Sequence, residues 1–292
     1  MQSLWMLAAA ACFSLMAACT KFGAQDFGTF ELVFYRSLFG VVTIGGWALV
    51  KGLSIRTERF LSHMKRSFLG TLALSIWFFA IGALPLGTAM TLNYTNPLYM
   101  ALILTILAIR RKEPLELGLV GSVLVGFFGI TLVLRPELRA GDEAAALIGA
   151  SAGFFTALAY FQVKELCVMK EPEWRIVFFF TLFGTVWGLV GQLLDGGLHP
   201  LTAQNIPPLL GMGIFATIAQ LCMTRAWGAG NMLLTSALQF SAIVFAAFLG
   251  LVLFGEPISL QSAVGIGIII AAGITATLLT KRSTAKPSAA KR

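Results

Sequence analysis

Residues 87–114 read GTAMTLNYTNPLYMALILTILAIRRKEP, an apolar run closed by three basic residues and a glutamate. A helix needs about 20 apolar residues to cross a bilayer, and this run is long enough. Lipid admits only helices or closed barrels, and such continuous runs are too long for strands. The sequence therefore predicts an all-α integral membrane protein with ten transmembrane helices, at about 4–21, 31–50, 67–84, 87–109, 115–134, 145–163, 176–194, 208–226, 231–254 and 259–280.

The composition agrees with this class. Of the 292 residues, 58% are hydrophobic and 12% are charged, whereas a soluble domain usually carries about 25% charged residues. An ordinary soluble enzyme, a disordered chain and a disulfide scaffold are therefore excluded. The net charge of +8 does not indicate nucleic acid, because the basic residues lie between apolar runs rather than on one face. We expect the partners to be a small-molecule substrate and the lipid bilayer, with the chain a monomer or a homodimer.

The sequence indicates neither a metal ion nor a cofactor. Residues 149–153 fit a G-x-S-x-G pattern, but that motif needs a strand-turn-helix elbow and a histidine partner. We expect the two histidines, His63 and His199, to lie in loops. The four cysteines have no metal-ligand spacing, and we interpret them as small packing residues. They are Cys12, Cys19, Cys167 and Cys222.

The distribution of basic residues predicts the orientation, because cytoplasmic loops carry an excess of Lys and Arg. With the N-terminus inside, 17 of the 21 Lys and Arg residues fall on the cytoplasmic side. Lys65 and Arg66 are counted there, in the loop before the third helix. We therefore expect both termini to be cytoplasmic, in a bacterial-type inner membrane. The outer side then holds Lys21, Arg36, Arg135 and Arg139.

The two halves of the sequence resemble each other at a nearly constant offset. Glu113-Pro114 after the fourth run corresponds to Glu256-Pro257 after the ninth, an offset of 143 residues. Since five helices are an odd number, the second copy must enter the membrane inverted, a plan that recurs in secondary transporters. We expect two inverted five-helix repeats around a central cavity, with boundaries at 1–136 and 137–281, followed by a basic cytoplasmic tail over 282–292.

These features resemble the drug/metabolite transporter superfamily, and within it the ten-helix EamA-type exporters. The residues that carry the resemblance are the duplication itself, Arg36 within Phe34-Tyr35-Arg36-Ser37, the proline of the fourth run, and the glutamate that closes runs four and nine. The resemblance covers residues 1–280 and implies an inverted five-helix repeat around a central cavity. Many members export amino acids or related metabolites, while others move drugs, nucleotide sugars or vitamins. Unlike the four-helix drug exporters of the superfamily, this chain has no carboxylate in its first run.

The candidate substrate site lies at the middle of runs four and nine, since transporters of this plan bind substrate near the bilayer midplane. Pro97 lacks an N–H and clashes with the preceding turn, so it is predicted to kink the helix and free the carbonyl of Asn93. A freed carbonyl within lipid must be satisfied by protein, water or ligand. The polar residues expected here, with interhelical hydrogen bonding as their alternative role, are Asn93, Asn96, Gln220, Ser236 and Gln239.

Aromatic residues and one arginine complete the predicted site. We expect an aromatic wall for an apolar or aromatic group of the substrate. Arg36 is expected to pair with a substrate carboxylate in bidentate geometry. Its alternatives are snorkelling to the outer interface and pairing with Glu31. The aromatic residues are Trp77, Tyr94, Tyr99 and Tyr160.

The sequence as a whole predicts a secondary transporter that exports small polar metabolites, amino acids above all and neutral or aromatic ones among them, by alternating access. A transporter of drugs and cationic compounds, or of vitamins or nucleotide-type metabolites, is the alternative within the superfamily. A membrane-embedded enzyme is disfavoured because no nucleophile–base pair falls within the runs. A channel is disfavoured because channels tend to be symmetric rings. Glu113 and Glu256 are interpreted as capping charges, with gating or proton transfer as the alternative.

Overall fold

The computed structural model describes residues 2–84, 86–134, 141–254 and 258–285, and all regular secondary structure within them is helical. A short 3₁₀ turn over Gln2–Leu4 leads into the first helix. The helices are α1 (Trp5–Gly23), α2 (Thr29–Val50), α3 (Phe60–Ala83), α4 (Leu86–Asn93), α5 (Asn96–Arg111), α6 (Leu117–Leu134), α7 (Glu143–Val168), α8 (Glu173–Leu194), α9 (Ile206–Ala229), α10 (Met232–Gln239), α11 (Ser241–Phe254) and α12 (Leu260–Ala285).

Nine segments of the described chain are long and apolar enough to cross a membrane. They coincide with nine of the ten predicted runs. The remaining run, at 67–84, lies on α3, whose first two turns carry His63, Lys65 and Arg66. The prediction of a helical membrane protein is thus supported by every described element, and His63 lies in a helix rather than in the expected loop.

The fourth and ninth runs are each divided into two helices. The fourth is interrupted at Tyr94 and Thr95, between α4 and α5, and the ninth at Phe240, between α10 and α11. Pro97 lies in the first turn of α5, where the missing N–H of a proline costs nothing. With the offset of 143, residues 94 and 95 correspond to residues 237 and 238, so the second interruption lies two to three residues after the equivalent point of the first.

The largest helix contacts join the two halves of the chain. The pairs are α1 with α9, α2 with α8, α3 with α7, and α6 with α12. In the order of the two halves, α1 corresponds to α7 and α3 corresponds to α9. The pair α1–α9 in one half order therefore corresponds to the pair α7–α3 in the other. The other two pairs each join helices that hold the same place in the order of the two halves.

The helices of the α2–α8 pair and of the α6–α12 pair run antiparallel. Glu31 at the start of α2 contacts His199 after the end of α8, and Thr57 after α2 contacts Glu171 before α8. Glycines bring these helices close, since small residues let helix backbones approach each other. A methyl group at Gly188 of α8 would lie 2.6 Å from the backbone nitrogen of Phe34 on α2.

Both ends of the described chain lie at the same end of the bundle. The hydroxyl of Ser3 donates to the carbonyl of Asn231, and the side chain of Asn231 lies 3.5 Å from Glu116. Gly118, two residues further on, packs against Leu279 near the end of α12. Of the tail predicted over 282–292, residues 282–285 continue α12. Residues 286–292, as well as Arg135, Arg139, Glu256 and Pro257, lie outside the described residues.

Candidate functional site

A cavity of about 150 Å³ lies between the two halves. Its walls come from α1, α2 and α3 of the first half, from the junction of α4 and α5, and from α7, α8, α9 and the α10–α11 region of the second. Of the ten predicted substrate-binding residues, seven line this cavity. They are Arg36, Trp77, Asn93, Tyr94, Tyr160, Gln220 and Gln239.

The guanidinium of Arg36 faces this cavity rather than the membrane interface. The residue is 7% exposed, so its charge is stabilised neither by reaching the membrane interface nor by contact with bulk water. The salt bridges of the described residues do not include an Arg36–Glu31 pair, and both carboxylate oxygens of Glu31 contact His199 instead. Gly40, one turn along α2, packs on Thr181 of α8 and holds this part of α2 against the second half.

Arg66 is a second buried arginine in the cavity wall, and its sequence-based placement in a cytoplasmic loop was wrong. It lies in the second turn of α3, is 3% exposed and lines the cavity. Its Cζ lies 4.0 Å from the centre of the Phe180 ring, and Nη2 is 3.4 Å from Oε1 of Gln220. Arg66 lies inside the bundle because α3 begins at Phe60, seven residues before the predicted apolar run at 67, and the helix turns this position inward.

At the interruption of the fourth run, the freed backbone carbonyl has a hydrogen-bond partner within the protein. Nδ2 of Asn96 donates to the carbonyl of Asn93 at 2.9 Å, so the carbonyl freed next to Pro97 is satisfied by a side chain rather than by a ligand. Asn96 is 1% exposed and does not line the cavity. Gly153 of α7 packs against this junction, where a methyl group would lie 3.1 Å from the nitrogen of Asn96.

Aromatic side chains form one wall of the cavity. Trp77, Tyr94 and Tyr160 line it, and the Tyr160 ring is stacked on the buried Trp227 ring at 4.7 Å. Tyr99 lies on the other side of α5, with its ring edge-on to Phe154 at 5.7 Å. Tyr99 therefore belongs to the packing between α5 and α7 and not to the cavity.

Two amide side chains from the second half complete the polar lining. Gln220 projects from α9 towards Arg66, and Gln239 at the end of α10 interacts with the hydroxyl of Tyr160. Ser236, three residues before Gln239, does not line the cavity, and its hydroxyl donates to the carbonyl of Met232 within α10. Ser14 of α1 instead donates across to the carbonyl of Ala242, at 2.9 Å.

A buried carboxylate joins the halves at one end of the bundle. Glu31, in the first turn of α2, is fully buried. The backbone N–H of His199, in the loop after α8, donates to Oε1 at 2.8 Å, and Nδ1 of the same residue lies 2.7 Å from Oε2. We call Glu31 and His199 the Glu31 cluster.

A second carboxylate joins the halves at the opposite end, about 33 Å away along the 22 residues of α2. α7 ends with Lys170 in the left-handed region (φ 63°), and the N–H of Glu171 closes the helix on the carbonyl of Leu166. This turn places the Glu171 carboxylate against Thr57 at 2.6 Å, Arg175 at 2.9 Å and His63 at 3.4 Å. We call these four residues the Glu171 cluster.

The surroundings of the Glu171 cluster shift the pKa values of Glu171 and His63. Burial alone raises the pKa of Glu171, but hydrogen bonds from Thr57 and Arg175, together with the charge of Arg175, lower it below its ordinary value. Burial also lowers the pKa of His63, and the positive charges of Arg175 and Arg66 act in the same direction, whereas Glu171 opposes them. The folded protein therefore favours an ionised Glu171 and a neutral His63.

Glu113 lies apart from the central cavity. It is exposed, and its backbone N–H closes α5 on the carbonyl of Ala108. Its side chain borders a separate groove at the end of the bundle, together with Lys164 and Asn231. Glu256, its counterpart by the offset, lies outside the described residues.

Comparison with known proteins places the chain among membrane transporters. Residues 1–135 and 144–278 each match the model of the EamA-like transporter family. The pseudopaline exporter of Pseudomonas aeruginosa is 25% identical over 89% of this chain and 90% of its own length. The riboflavin transporter of Vibrio cholerae is 27% identical over 87% of this chain and 85% of its own.

The fold is shared with a protein of known structure. A crystal structure superposes with a TM-score of 0.85 over 97% of this chain and 98% of its own, at 18% sequence identity. At that identity the likeness establishes the fold and carries no information on substrate.

Proposed function

The chain belongs to the EamA-like transporter family of the drug/metabolite transporter superfamily, and from this premise we propose that it is a secondary transporter for small polar metabolites. It is a multi-pass membrane protein of a family of transporters, as its sequence predicted. The observation that carries the proposal is the central cavity between the halves, where arginine, amide and aromatic side chains converge. A cavity of this kind near the middle of the helices is where such folds bind substrate.

The mechanism that we propose is alternating access between two inverted five-helix repeats. Three observations support it. The family model matches the chain twice, the counterpart helices α2 and α8 run antiparallel, and the interruptions of the fourth and ninth runs agree with the offset of 143 to within three residues. The Glu31 and Glu171 clusters join the halves at opposite ends, so opening one cluster at a time would expose the cavity to one side at a time.

Within the polar metabolites, we propose amino acids and related carboxylates as the transported class, moved outwards across a bacterial inner membrane with both termini in the cytoplasm. A guanidinium binds a carboxylate with two parallel hydrogen bonds, and Arg36, a buried residue of the cavity wall, would bind the substrate carboxylate in this way. Gln220 and Gln239 offer amide groups to the remaining polar atoms. The wall of Trp77, Tyr94 and Tyr160 would contact the apolar part of the substrate.

The alternative of a cationic drug is disfavoured by charge, because the described cavity lining contains two arginines and no acidic residue. A vitamin is the second candidate. The aromatic wall suits a flat ring system, and one relative is a riboflavin transporter.

The proposal is tested by counterflow in proteoliposomes that contain the purified protein. Vesicles loaded with one unlabelled amino acid, vitamin or cationic dye are diluted into the labelled compound, and a transporter accumulates the label transiently. We expect accumulation with carboxylated metabolites and none with cationic dyes. Arg36→Gln should abolish it, whereas Arg56→Gln, at an exposed position, should not. Flux of a cationic dye that is insensitive to Arg36→Gln would refute the proposal.

We further propose that transport is not tightly driven by protons through a membrane carboxylate. The α1 segment contains no acidic residue, and Glu31 is engaged with His199 at the end of the bundle. Flux that collapses in well-folded Glu113→Gln or Glu256→Gln proteins would contradict this.

A further inference from the structure

Two buried arginines share the cavity without a negative partner in the part of the chain that the structure describes. Arg36 and Arg66 are 7% and 3% exposed, and both line the cavity. None of the described lining residues is an aspartate or a glutamate. The salt bridges of the described residues involve neither guanidinium, and Glu31 is bonded to His199.

Two buried charges without a counter-charge destabilise the folded protein when no ligand is bound. Removing a charge from water costs several kcal/mol even after relaxation, and a buried charge is usually balanced by a counter-charge. The two guanidinium groups also repel each other, since the charge of Arg36 acts on Arg66 across the cavity. Ionisable groups within membrane segments indicate a functional site for this reason.

Neutral neighbours satisfy only part of the hydrogen-bonding capacity of Arg66. The Phe180 ring lies 4.0 Å from Cζ, and Gln220 accepts from Nη2 at 3.4 Å. Nε of Arg66 has no partner among the described atoms, although a guanidinium carries five N–H donors. Oε1 of Gln239, across the same cavity, also lacks a described partner and can accept from a hydroxyl or ammonium group.

We propose that the central cavity binds a small dianion, with Arg36 and Arg66 as its two anchors. The two charges are either two carboxylates on one carbon skeleton or one phosphate group, because both satisfy a pair of guanidiniums. The proposal rests on the proposed function, in which this cavity is the transport site, and narrows its substrate class. The cavity volume of about 150 Å³ is well above the roughly 10–15 Å³ that a single water molecule needs, so the site has room for a small ligand in this conformation.

The first test is equilibrium binding to the purified full-length protein in detergent. Succinate, butyrate and succinamide share a four-carbon skeleton and carry two, one and no negative charges, and glycerol 3-phosphate carries its charges on one phosphate. We expect calorimetric binding of succinate or of glycerol 3-phosphate, and whichever binds identifies the source of the charge. Butyrate should bind at least tenfold more weakly, and succinamide should give no heat.

The second test uses variants. Arg36→Gln and Arg66→Gln should each weaken dianion binding on the order of 30-fold, whereas Arg56→Gln, at an exposed position, should not. Arg66→Lys, which keeps the charge but loses the planar fork, should have a dianion affinity between those of the wild type and Arg66→Gln. Without ligand, Arg66→Gln should melt at or above the wild-type temperature, because it removes an unbalanced buried charge. A purely structural arginine would give the opposite result.

The outcomes separate the two proposals. Equal binding of butyrate and succinate, binding that both glutamine variants retain, or the absence of binding by either dianion would overturn the dianion site. Counterflow of a neutral or monoanionic metabolite under those conditions would leave the transporter function standing. Absence of flux for every metabolite, with dianion binding intact, would instead remove the proposed function.

Discussion

At the scale of single residues, Gly70 makes room for the guanidinium of Arg66 one turn earlier on α3. A methyl group at position 70 would overlap Nη1 of Arg66 and lie 3.1 Å from the Phe180 ring. We expect Gly70→Ala to displace the guanidinium and to raise the substrate concentration for half-maximal counterflow about tenfold, which corresponds to roughly 1.4 kcal/mol. Folding should be little affected, because alanine favours a helix over glycine by about 0.5–1 kcal/mol.

Gly46→Ala is the matched control for this substitution. Gly46 also lies inside a helix, but a methyl group there would have nothing within 4 Å. The control should keep wild-type flux and melt at the same or a higher temperature. Equal effects of the two substitutions on flux would show that Gly70 acts through helix flexibility and not through Arg66.

Asn96 and Gln239 should have opposite effects when replaced by alanine, although the sequence places them at equivalent positions. Asn96→Ala leaves the buried carbonyl of Asn93 without its 2.9 Å hydrogen bond, which should cost about 1–3 kcal/mol of stability and leave substrate affinity unchanged. Gln239→Ala removes a cavity-lining amide and should lower affinity with little change in melting temperature. Thermal unfolding and counterflow on both variants measure the two effects, and a loss of affinity in Asn96→Ala would place that side chain in the binding site.

Arg66 shows why the sequence could predict most of the candidate site but not all of it. Lys65 is exposed and Arg66 is buried, because adjacent residues of a helix point about 100° apart. Both precede an apolar run, where basic residues usually mark the membrane interface. Which of them turns inward depends on how α3 packs against α7 and α8, and single-sequence patterns do not contain that rotation.

At the scale of elements, the two divided runs differ in how they could be predicted. Pro97 predicts an interruption near the boundary of α4 and α5, because proline removes a helical hydrogen bond. The interruption at Phe240 has no proline, and the hydroxyl of Ser241 bonds the carbonyl of Leu238 there. The offset of 143 predicts an interruption at residues 237 and 238, two to three residues before the observed one. The partner of the freed Asn93 carbonyl was not predictable, because Asn96 could equally have faced a ligand.

The Glu171 cluster makes the stability of this end of the bundle dependent on pH. The pKa of His63 is lowered by burial, so as pH falls below about 6.5, the ordinary histidine value, the unfolded chain takes up a proton that folded His63 resists. Stability is therefore lost in that window. The pKa of Glu171 is also lowered, so its contribution is present at neutral pH and is lost at still lower pH, as its folded value is passed.

Melting temperatures measured between pH 8 and pH 4 check this prediction. We expect the wild-type curve to fall by a few degrees below about pH 6.5, and His63→Gln to flatten that upper part. Glu171→Gln should be less stable at neutral pH and should lose the lower part of the slope. Glu58→Gln, which replaces an exposed glutamate next to Thr57 in the loop between α2 and α3, should follow the wild type. A wild-type curve that stays flat down to pH 4 would contradict the assignment.

At the scale of the whole molecule, the sequence predicted the class and family because these depend on averaged properties. Hydropathy over about 20 residues identifies a span, and nine described segments agree with it. The pairing of α1 with α9 and of α3 with α7 depends on side-chain complementarity between distant segments. The family resemblance implied a central cavity, but only the three-dimensional arrangement shows that Arg36 and Arg66 face it together.

The two end clusters lead to a prediction about the transport cycle. If the cavity opens to one side at a time, fixing one end should stop transport without closing the other end. Cysteines at positions 31 and 199, or at 57 and 171, can be joined by a short bifunctional thiosulfonate, which forms a reducible disulfide bond with each thiol, after Cys12, Cys19, Cys167 and Cys222 are replaced by alanine. We expect either cross-link to abolish counterflow, and reduction of the linker to restore it, while each single-cysteine variant treated in the same way keeps its flux.

Binding to the cross-linked proteins then distinguishes alternating access from a simple loss of mobility. With the 31–199 link, the cavity should remain accessible only from the end that holds the Glu171 cluster, and with the 57–171 link only from the opposite end. A small membrane-impermeant thiol reagent, applied to a single cysteine introduced at Ser14 in the cavity wall, reports accessibility in right-side-out and inside-out vesicles. Because the two clusters lie at opposite ends of one antiparallel pair, the two links should give mirror-image labelling patterns. Labelling from both sides with either link in place would mean that the halves do not alternate about this cavity.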